Sequence, residues 1–163
     1  MEAQPHRWPP APTETGEYEL GAERLLEEVA AACESAAGFP QCVEAALRAT
    51  LRLFAAEPEL GLRLTVRPFA GDELALHRQE RWQGRFADLL RDAAARSPGA
   101  SVHPPFVEPA LIAGIRWKIS SRLLRDGAEP LEDLLPGLME FVLACYFGPE
   151  ADQSTLAQPG ASG

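Results

Sequence analysis

The most constraining feature of this sequence is an almost uninterrupted apolar segment near its C-terminal end. Residues 134–147 read LLPGLMEFVLACYF, and Glu140 is the only charged residue among them. A helix that is apolar on nearly every side has to be covered on more than one side. The segment is therefore either the central helix of a monomeric bundle or part of an interface between two copies of the chain.

The segment before it, residues 109–125, also predicts a helix with two apolar faces. One stripe runs through Ile112, Ile115 and Ile119, and small residues such as Gly114 lie near the second face. Because one small core cannot bury all of this surface, we expect a two-fold dimer in which the last two helices of each subunit form a four-helix interface. The residues expected at that interface are Ala113, Trp117, Ser121, Leu124, Leu138, Phe141, Val142, Cys145 and Tyr146.

Apolar residues recur at helical spacing through most of the chain, and no run shows the alternation that is typical of a strand. The expected fold class is all-α, a bundle of about six helices. Prolines and glycines mark the ends of these helices. Pro136 requires the last helix to begin late or to be kinked. The helices are expected at about 20–37, 40–57, 58–66, 72–96, 109–125 and 131–147.

The two ends of the chain lack this apolar periodicity. Residues 1–19 contain four prolines, so we expect them to form a flexible lead. Residues 149–163 have a similar composition and are expected to form a flexible tail. The domain is therefore expected to span residues 20–148.

Charge and hydropathy exclude several classes of function. The chain carries a net charge of −9, whereas a protein that grips nucleic acid or an anionic membrane through phosphates needs a basic face. Its longest apolar run is about half of the ~20 residues that a membrane helix requires. We expect no direct binding to nucleic acid and no membrane partner.

Three cysteines occur, and they form no Cys-x-x-Cys pair. Cys33, Cys42 and Cys145 cannot all pair within one chain, which predicts reduced thiols that pack as small core residues. The N-terminal residues contain no apolar run suited to a signal peptide. Both observations predict a cytoplasmic protein.

Motifs for catalysis and for cofactors are missing from the sequence. The glycines do not have the spacing of a phosphate-binding loop. His6, His77 and His103 are too dispersed to form a metal site. We therefore expect no catalytic residue, no metal, no cofactor and no enzyme activity.

Large apolar side chains on the middle helices are candidates for a ligand pocket, although an ordinary core has the same composition. His77 and Arg78, one turn before Trp82, are the polar groups that would face such a pocket if they do not face solvent. The candidate pocket residues are Phe54, Leu62, Val66, Phe69, Trp82, Phe86 and Trp117.

Three segments, taken in order, resemble the C-terminal regulatory domain of TetR-type transcriptional regulators. They read AALRATLRLFAAEPELGLRLTV, RQERWQGRFADLLRDAA and EPALIAGIRWKISSRLLRDGAEPLEDLLPGLMEFVLACYFG. The order is a helix ending in Ala-Glu-Pro, a short helix, a long helix, a proline-rich loop and two final helices. The resemblance covers about residues 20–148.

The resemblance implies a homodimer that binds a small apolar ligand among its middle helices. Family members carry a DNA-binding segment of about fifty residues before this domain, and residues 1–19 are too short to supply one. The chain is therefore expected to act without its own DNA-binding segment, as a homodimer or paired with a full-length TetR-type regulator. The alternative is a structural or interaction module, a helical dimer with no functional pocket.

Overall fold

The computed structural model describes residues 12–66, 73–125 and 130–148, and every regular element in these ranges is helical. The first eleven residues and the predicted tail lie outside the described residues. The predicted all-α fold with about six helices is confirmed. The elements are α1 (Pro12–Glu34), α2 (Phe39–Ala56), α3 (Pro58–Thr65), α4 (Glu73–Ala95), α5 (Val107–Leu123), a 3₁₀ helix (Leu131–Leu134) and α6 (Leu135–Phe147).

Prolines lie at the start of three helices. Pro40, Pro58 and Pro136 occupy the first turns of α2, α3 and α6, where a missing N–H costs no helical hydrogen bond. Pro136 thus gives the late start that was one of its two predicted outcomes, and the 3₁₀ helix precedes it. Gly148 ends α6 with a φ of 85°, a backbone conformation that favours glycine.

The first helix is longer than the sequence predicts, because it begins at Pro12. Contacts with distant parts of the chain stabilise its added turns. Glu17 pairs with Arg63 of α3 at 3.1 Å, and Glu19 pairs with Arg81 of α4 at 2.9 Å. The second half of the predicted flexible lead is therefore helical, since tertiary contacts add to a weak local preference for helix.

The centre of the bundle is α2, which packs against α1, α3, α6 and the 3₁₀ helix. Its Phe39, Leu51 and Phe54 are almost completely buried. The ring of Phe39 meets the ring of Tyr146 of α6 edge-on, with 4.7 Å between the centroids. Edge-on contact is an arrangement that aromatic pairs prefer, and it fixes α6 against α2.

One face of α6 belongs to the core of its own chain. Leu138, Val142 and Tyr146 repeat every four residues and are buried, with α2 as the main neighbour of α6. The structure corrects their predicted place in a dimer interface, because their side chains are covered within the chain and offer no surface to a second copy. Phe141, on another side of α6, is exposed.

The hairpin between α1 and α2 brings two cysteines together. Cys33 lies in the last turn of α1 and Cys42 in the first turn of α2, with their Cα atoms 4.5 Å apart, and the two form a disulfide. The prediction of three reduced thiols is wrong for this pair, because cysteine spacing alone does not show where the chain reverses direction. Cys145 is a free thiol.

Candidate ligand cavity

An apolar cavity of about 160 Å³ lies among the helices. An apolar cavity of about 150 Å³ in another protein holds benzene, so this one has room for a molecule built on a single ring. Each helix turns one face of its 3.6-residue repeat toward the space. The main wall residues are Tyr18, Ala22, Leu25, Val29 and Cys33 of α1; Cys42, Val43, Ala46, Leu47, Thr50 and Phe54 of α2; Gln79, Trp82, Gln83, Phe86, Leu89 and Leu90 of α4; and Ile112, Ile115, Arg116 and Ile119 of α5.

The two threonine hydroxyls of the wall are already hydrogen-bonded within their own helices. Thr50 donates to the carbonyl oxygen of Ala46 at 2.9 Å, and Thr65 donates to that of Gly61 at 2.7 Å. A hydroxyl that donates to a backbone carbonyl of its own helix does not need a ligand as its acceptor. These two positions therefore add little polarity to the wall.

Two other polar atoms, on side chains that line the cavity, have almost no accessible surface and no hydrogen-bond partner among the described residues. They are Oε1 of Gln79 and Nε1 of Trp82. Gln79 is 8% exposed and Trp82 is 5% exposed, so bulk water reaches neither side chain well. Leaving a buried polar group unpaired costs about 1–3 kcal/mol, so a polar ligand group would gain most where these two side chains can turn to meet it.

An arginine packs over the indole ring of Trp82. The guanidinium carbon of Arg85 lies 4.7 Å from the ring centroid, within the range of a cation–π contact. Arg85 also pairs with Glu23 of α1, with 3.6 Å between Nη1 and Oε1. The contact between α4 and α1 therefore helps to fix the orientation of the indole in the wall.

Tyr18 and Arg116 add a phenol and a guanidinium to the wall. Burial raises the pKa of Tyr18, and the nearby charge of Arg116 opposes that shift. Burial lowers the pKa of Arg116, and Tyr18 opposes that shift in turn. Because a guanidinium stays protonated in proteins, Arg116 is the one charged side chain in the described wall at neutral pH.

The cavity wall includes three of the seven predicted pocket residues, Phe54, Trp82 and Phe86. Trp117 points elsewhere, since its side chain is 68% exposed on α5. Phe69 lies outside the described residues. That these side chains bind a ligand remains a prediction, but the structure places three of them around one space.

The remaining two predicted pocket residues, one on α3 and one directly after it, do not line the cavity. Leu62 and Val66 are half-buried, whereas Leu64 and Thr65 of the same helix are buried and face the space. The helix is only two turns long, so its inward face depends on how it packs. The sequence does not determine that packing.

The polar wall residues differ from those that the sequence suggested. His77 is exposed and lies 3.6 Å from Glu80, and it does not line the cavity. Arg78 does not line it either, whereas Gln79 does. A shift of one or two positions along α4 changes the direction of a side chain by 100° or more, and the apolar repeat of Trp82 and Phe86 could have located the correct face.

A second apolar feature lies on the surface where α5 and α6 meet, and we call it the α5–α6 face. It consists of Trp117, Leu124 and Phe141, whose side chains are 68%, 63% and 46% exposed. A Cβ at Gly114 would lie 3.1 Å from Cζ of Phe141, so the missing side chain lets this ring rest on α5. The other predicted interface residues, Ala113, Ser121 and Cys145, are half-buried.

Comparison of the chain with protein-family models, with curated proteins and with solved structures found no match. Within residues 12–66, 73–125 and 130–148, no helix combines the length and the apolar character needed to cross a membrane. The same ranges hold no group of three His, Cys, Asp or Glu side chains that could bind a metal ion. The observed geometry is a helical bundle with an apolar cavity and an exposed apolar face.

Proposed function

We propose that this chain is a TetR-like domain of transcription regulation that binds a small, mainly apolar ligand and forms a homodimer. The observation that carries the proposal is the cavity of about 160 Å³ among α1, α2, α4 and α5. Sites for small molecules are concave and mostly apolar, with a few polar groups that set orientation and specificity. The wall described above has this composition.

The order of the helices supports the TetR-like part of the proposal. A helix that ends at Ala56 is followed by the short α3, the long α4, a loop and the two helices α5 and α6. This is the order that the sequence resemblance implies. The cavity lies among the middle helices, where the resemblance places a ligand.

The α5–α6 face supports the homodimer. Large apolar side chains that cluster on a surface often mark a site of interaction with another protein. Leu124 follows the last residue of α5 and lies seven residues, or two turns, after Trp117 on the same side. Pairing of this face with its copy about a two-fold axis would cover all three side chains, and a full-length TetR-type regulator would use the same surface.

A regulator of transcription acts inside the cell, so the proposal places the chain in the cytoplasm. Reducing systems keep most cytoplasmic thiols reduced. The bond between Cys33 and Cys42 is therefore expected to be reversible there. Since both cysteines belong to the cavity wall, their redox state is a variable that every ligand measurement should control.

The α5–α6 face also favours a second candidate function, an interaction module that dimerises and has no functional pocket. Two copies could pair through the exposed side chains of Trp117, Leu124 and Phe141 without any ligand. The two candidates differ in one measurable property, which is binding of a small apolar molecule to the cavity.

Toluene is a suitable first probe, because its single ring matches the cavity volume. We expect toluene to raise the melting temperature of the wild-type protein in a concentration-dependent way, and calorimetry to give a saturable isotherm. The variant Ala46→Phe places a ring in the cavity wall and should abolish binding. Ala55→Phe, on the exposed side of the same helix, is the matched control and should bind as the wild type does.

The absence of toluene binding to the wild-type protein at saturating concentration would contradict the ligand-binding proposal and leave the interaction module. Equal loss of binding in Ala46→Phe and Ala55→Phe would show that the effect is not local to the cavity.

Sedimentation tests the dimer separately from the ligand. At low micromolar concentration we expect the wild-type protein to sediment as a dimer. Trp117→Lys should shift it toward monomer, because a charge would be buried at the centre of the face. Val102→Lys, in a loop outside both helices, replaces another exposed apolar residue and should leave the dimer intact. A wild-type protein that sediments as a single monomeric species would rule the dimer out.

A further inference from the structure

The chemistry of the two unpartnered wall atoms restricts the class of ligand. Nε1 of Trp82 is a hydrogen-bond donor only, and Oε1 of Gln79 is an acceptor only. Both atoms are buried and lack partners among the described residues. The two residues lie three positions apart on α4, so their side chains are neighbours on one face of the helix.

We infer that the cavity takes an uncharged, mainly apolar molecule with one hydroxyl group. The hydroxyl oxygen accepts a hydrogen bond from Nε1 of Trp82, and the hydroxyl proton is donated to Oε1 of Gln79. The inference rests on the proposed function, because it specifies the ligand of the same cavity. It goes further in assigning the polar part of the ligand to a named pair of side chains.

Other polar groups match this pair less well. A ketone, an ether or a carboxylate would accept from Trp82 but has no proton for Gln79, and a carboxylate would also lose its hydration. A pure hydrocarbon would leave both atoms unpaired. A hydroxyl combines a donor and an acceptor in one small group. Both atoms have almost no accessible surface, so the two side chains have to turn slightly toward the cavity to meet it.

The remaining wall is consistent with a ligand that is otherwise apolar. The hydroxyls of Thr50 and Thr65 already donate to backbone carbonyls, and Nε2 of Gln83 donates to the carbonyl oxygen of Pro109. Most other wall residues are aliphatic or aromatic. The charged Arg116 lies on a different helix from the Gln79–Trp82 pair, so an anionic probe can test its influence separately.

Phenol and toluene form the sharpest pair of probes, because they differ by a hydroxyl in place of a methyl group. In a purely apolar cavity phenol binds more weakly than toluene, since it gives up hydrogen bonds to water without replacement. In this cavity we expect phenol to bind at least as tightly as toluene. Dissociation constants from calorimetry on the oxidised wild-type protein measure the ratio.

Two variants test whether the two proposed atoms determine the ratio of the phenol and toluene dissociation constants. Trp82→Phe removes the N–H donor, and Gln79→Leu removes the carboxamide acceptor at similar volume. Each should weaken phenol binding relative to toluene by about tenfold, the upper range for one hydrogen bond. Gln41→Leu changes a glutamine outside the cavity wall and should leave the ratio unchanged. Because the two variants are independent, either one suffices if the other fails to fold.

The indole proton provides a direct signature. In a ¹H–¹⁵N spectrum, the indole signal that is missing in Trp82→Phe belongs to Trp82. Phenol should move this signal downfield, as expected for a new hydrogen bond, and toluene should move it less. A merely structural role of Trp82 would give the same shift with both probes.

The possible outcomes separate this inference from the proposed function. If both probes bind, phenol is the weaker ligand and neither variant alters the ratio, the hydroxyl assignment is overturned while the ligand cavity stands. Tighter binding of benzoate than of phenol would also overturn it and would assign the polar end of the ligand to Arg116. If neither phenol nor toluene binds, the inference and the proposed function both fail.

Discussion

The hydroxyl of Tyr146 donates a hydrogen bond to Oε1 of Glu108 at 3.3 Å, and both side chains are almost completely buried. Oε2 of the same carboxylate accepts from Nη2 of Arg91, also at 3.3 Å. The three residues lie on α6, α5 and α4. A buried carboxylate is tolerated when a cation and hydrogen-bond donors compensate for lost hydration, and here that compensation ties three helices together.

The first prediction concerns the hydroxyl of Tyr146. Tyr146→Phe keeps the ring in the core but removes one donor from a buried carboxylate, so we expect the free energy of unfolding to fall by about 2 kcal/mol. Urea denaturation at neutral pH measures the loss. The control is the same substitution in a Glu108→Gln background, where the loss should shrink because the acceptor is no longer charged. An equal loss in both backgrounds would show that the hydroxyl does not act through Glu108.

The same residue predicts a loss of stability at alkaline pH. Burial, the charge of Glu108 and the hydrogen bond to it raise the pKa of Tyr146 above its ordinary value of 10.0. The unfolded chain therefore loses this proton at lower pH than the folded protein. Because the folded state binds more protons, the stabilisation is complete below about pH 9 and decreases as the pH rises through 10 and above.

Urea denaturation between about pH 8 and pH 11 tests whether stability decreases with rising pH in this way. Tyr146→Phe should show a shallower decline than the wild type. Part of the slope should remain, because burial also raises the pKa of Tyr18. Parallel declines in the two proteins would mean that Tyr146 titrates alike in the folded and unfolded states.

Much of the fold follows from the sequence, because proline positions and apolar spacing are local signals. Pro40 and Pro58 begin helices as predicted. The first turns of α1 carry no such signal, and their helical state depends on partners such as Arg63 and Arg81 that are distant in the chain. The sequence also could not show which side of α6 faces the core, since large apolar residues lie on both sides of that helix.

The candidate site was predictable only in its apolar part. Phe54, Trp82 and Phe86 belong to large apolar stripes that had to face inward. Gln79 and Arg116 are residue types that usually face water. They line the cavity only because of the way in which four helices pack together. A cavity results from the packing of several helices and not from any one of them, so no local sequence pattern predicts its volume.

A third prediction concerns the disulfide between Cys33 and Cys42. Closing a loop of about ten residues restricts the unfolded chain, which should stabilise the protein by about 2–3 kcal/mol. The double variant Cys33→Ser/Cys42→Ser should lose this amount in urea denaturation, and the wild type in reductant should match it. Cys145→Ser should retain full stability in the absence of reductant.

Alkylation under denaturing conditions checks the pairing directly. Without reductant the wild type should accept one label, at Cys145, and with reductant it should accept three, one for each cysteine of the chain. Three labels without reductant, together with equal stability in both conditions, would show that the pair is reduced in solution.

The last prediction compares two glycines within helices that should respond to alanine in opposite ways. A Cβ at Gly61 of α3 would lie 2.8 Å from Cδ1 of Leu123 and 3.1 Å from Cβ of Phe54. Cδ1 of Leu123 can turn away, but Cβ of Phe54 is attached to the backbone of α2 and cannot, so Gly61→Ala should lower the free energy of unfolding by about 1–3 kcal/mol. A Cβ at Gly84 of α4 would meet nothing within 4 Å, so Gly84→Ala should raise it by about 0.5–1 kcal/mol through helix propensity. Urea denaturation of both variants measures the difference, and a stabilising Gly61→Ala would show that α3 does not pack this closely.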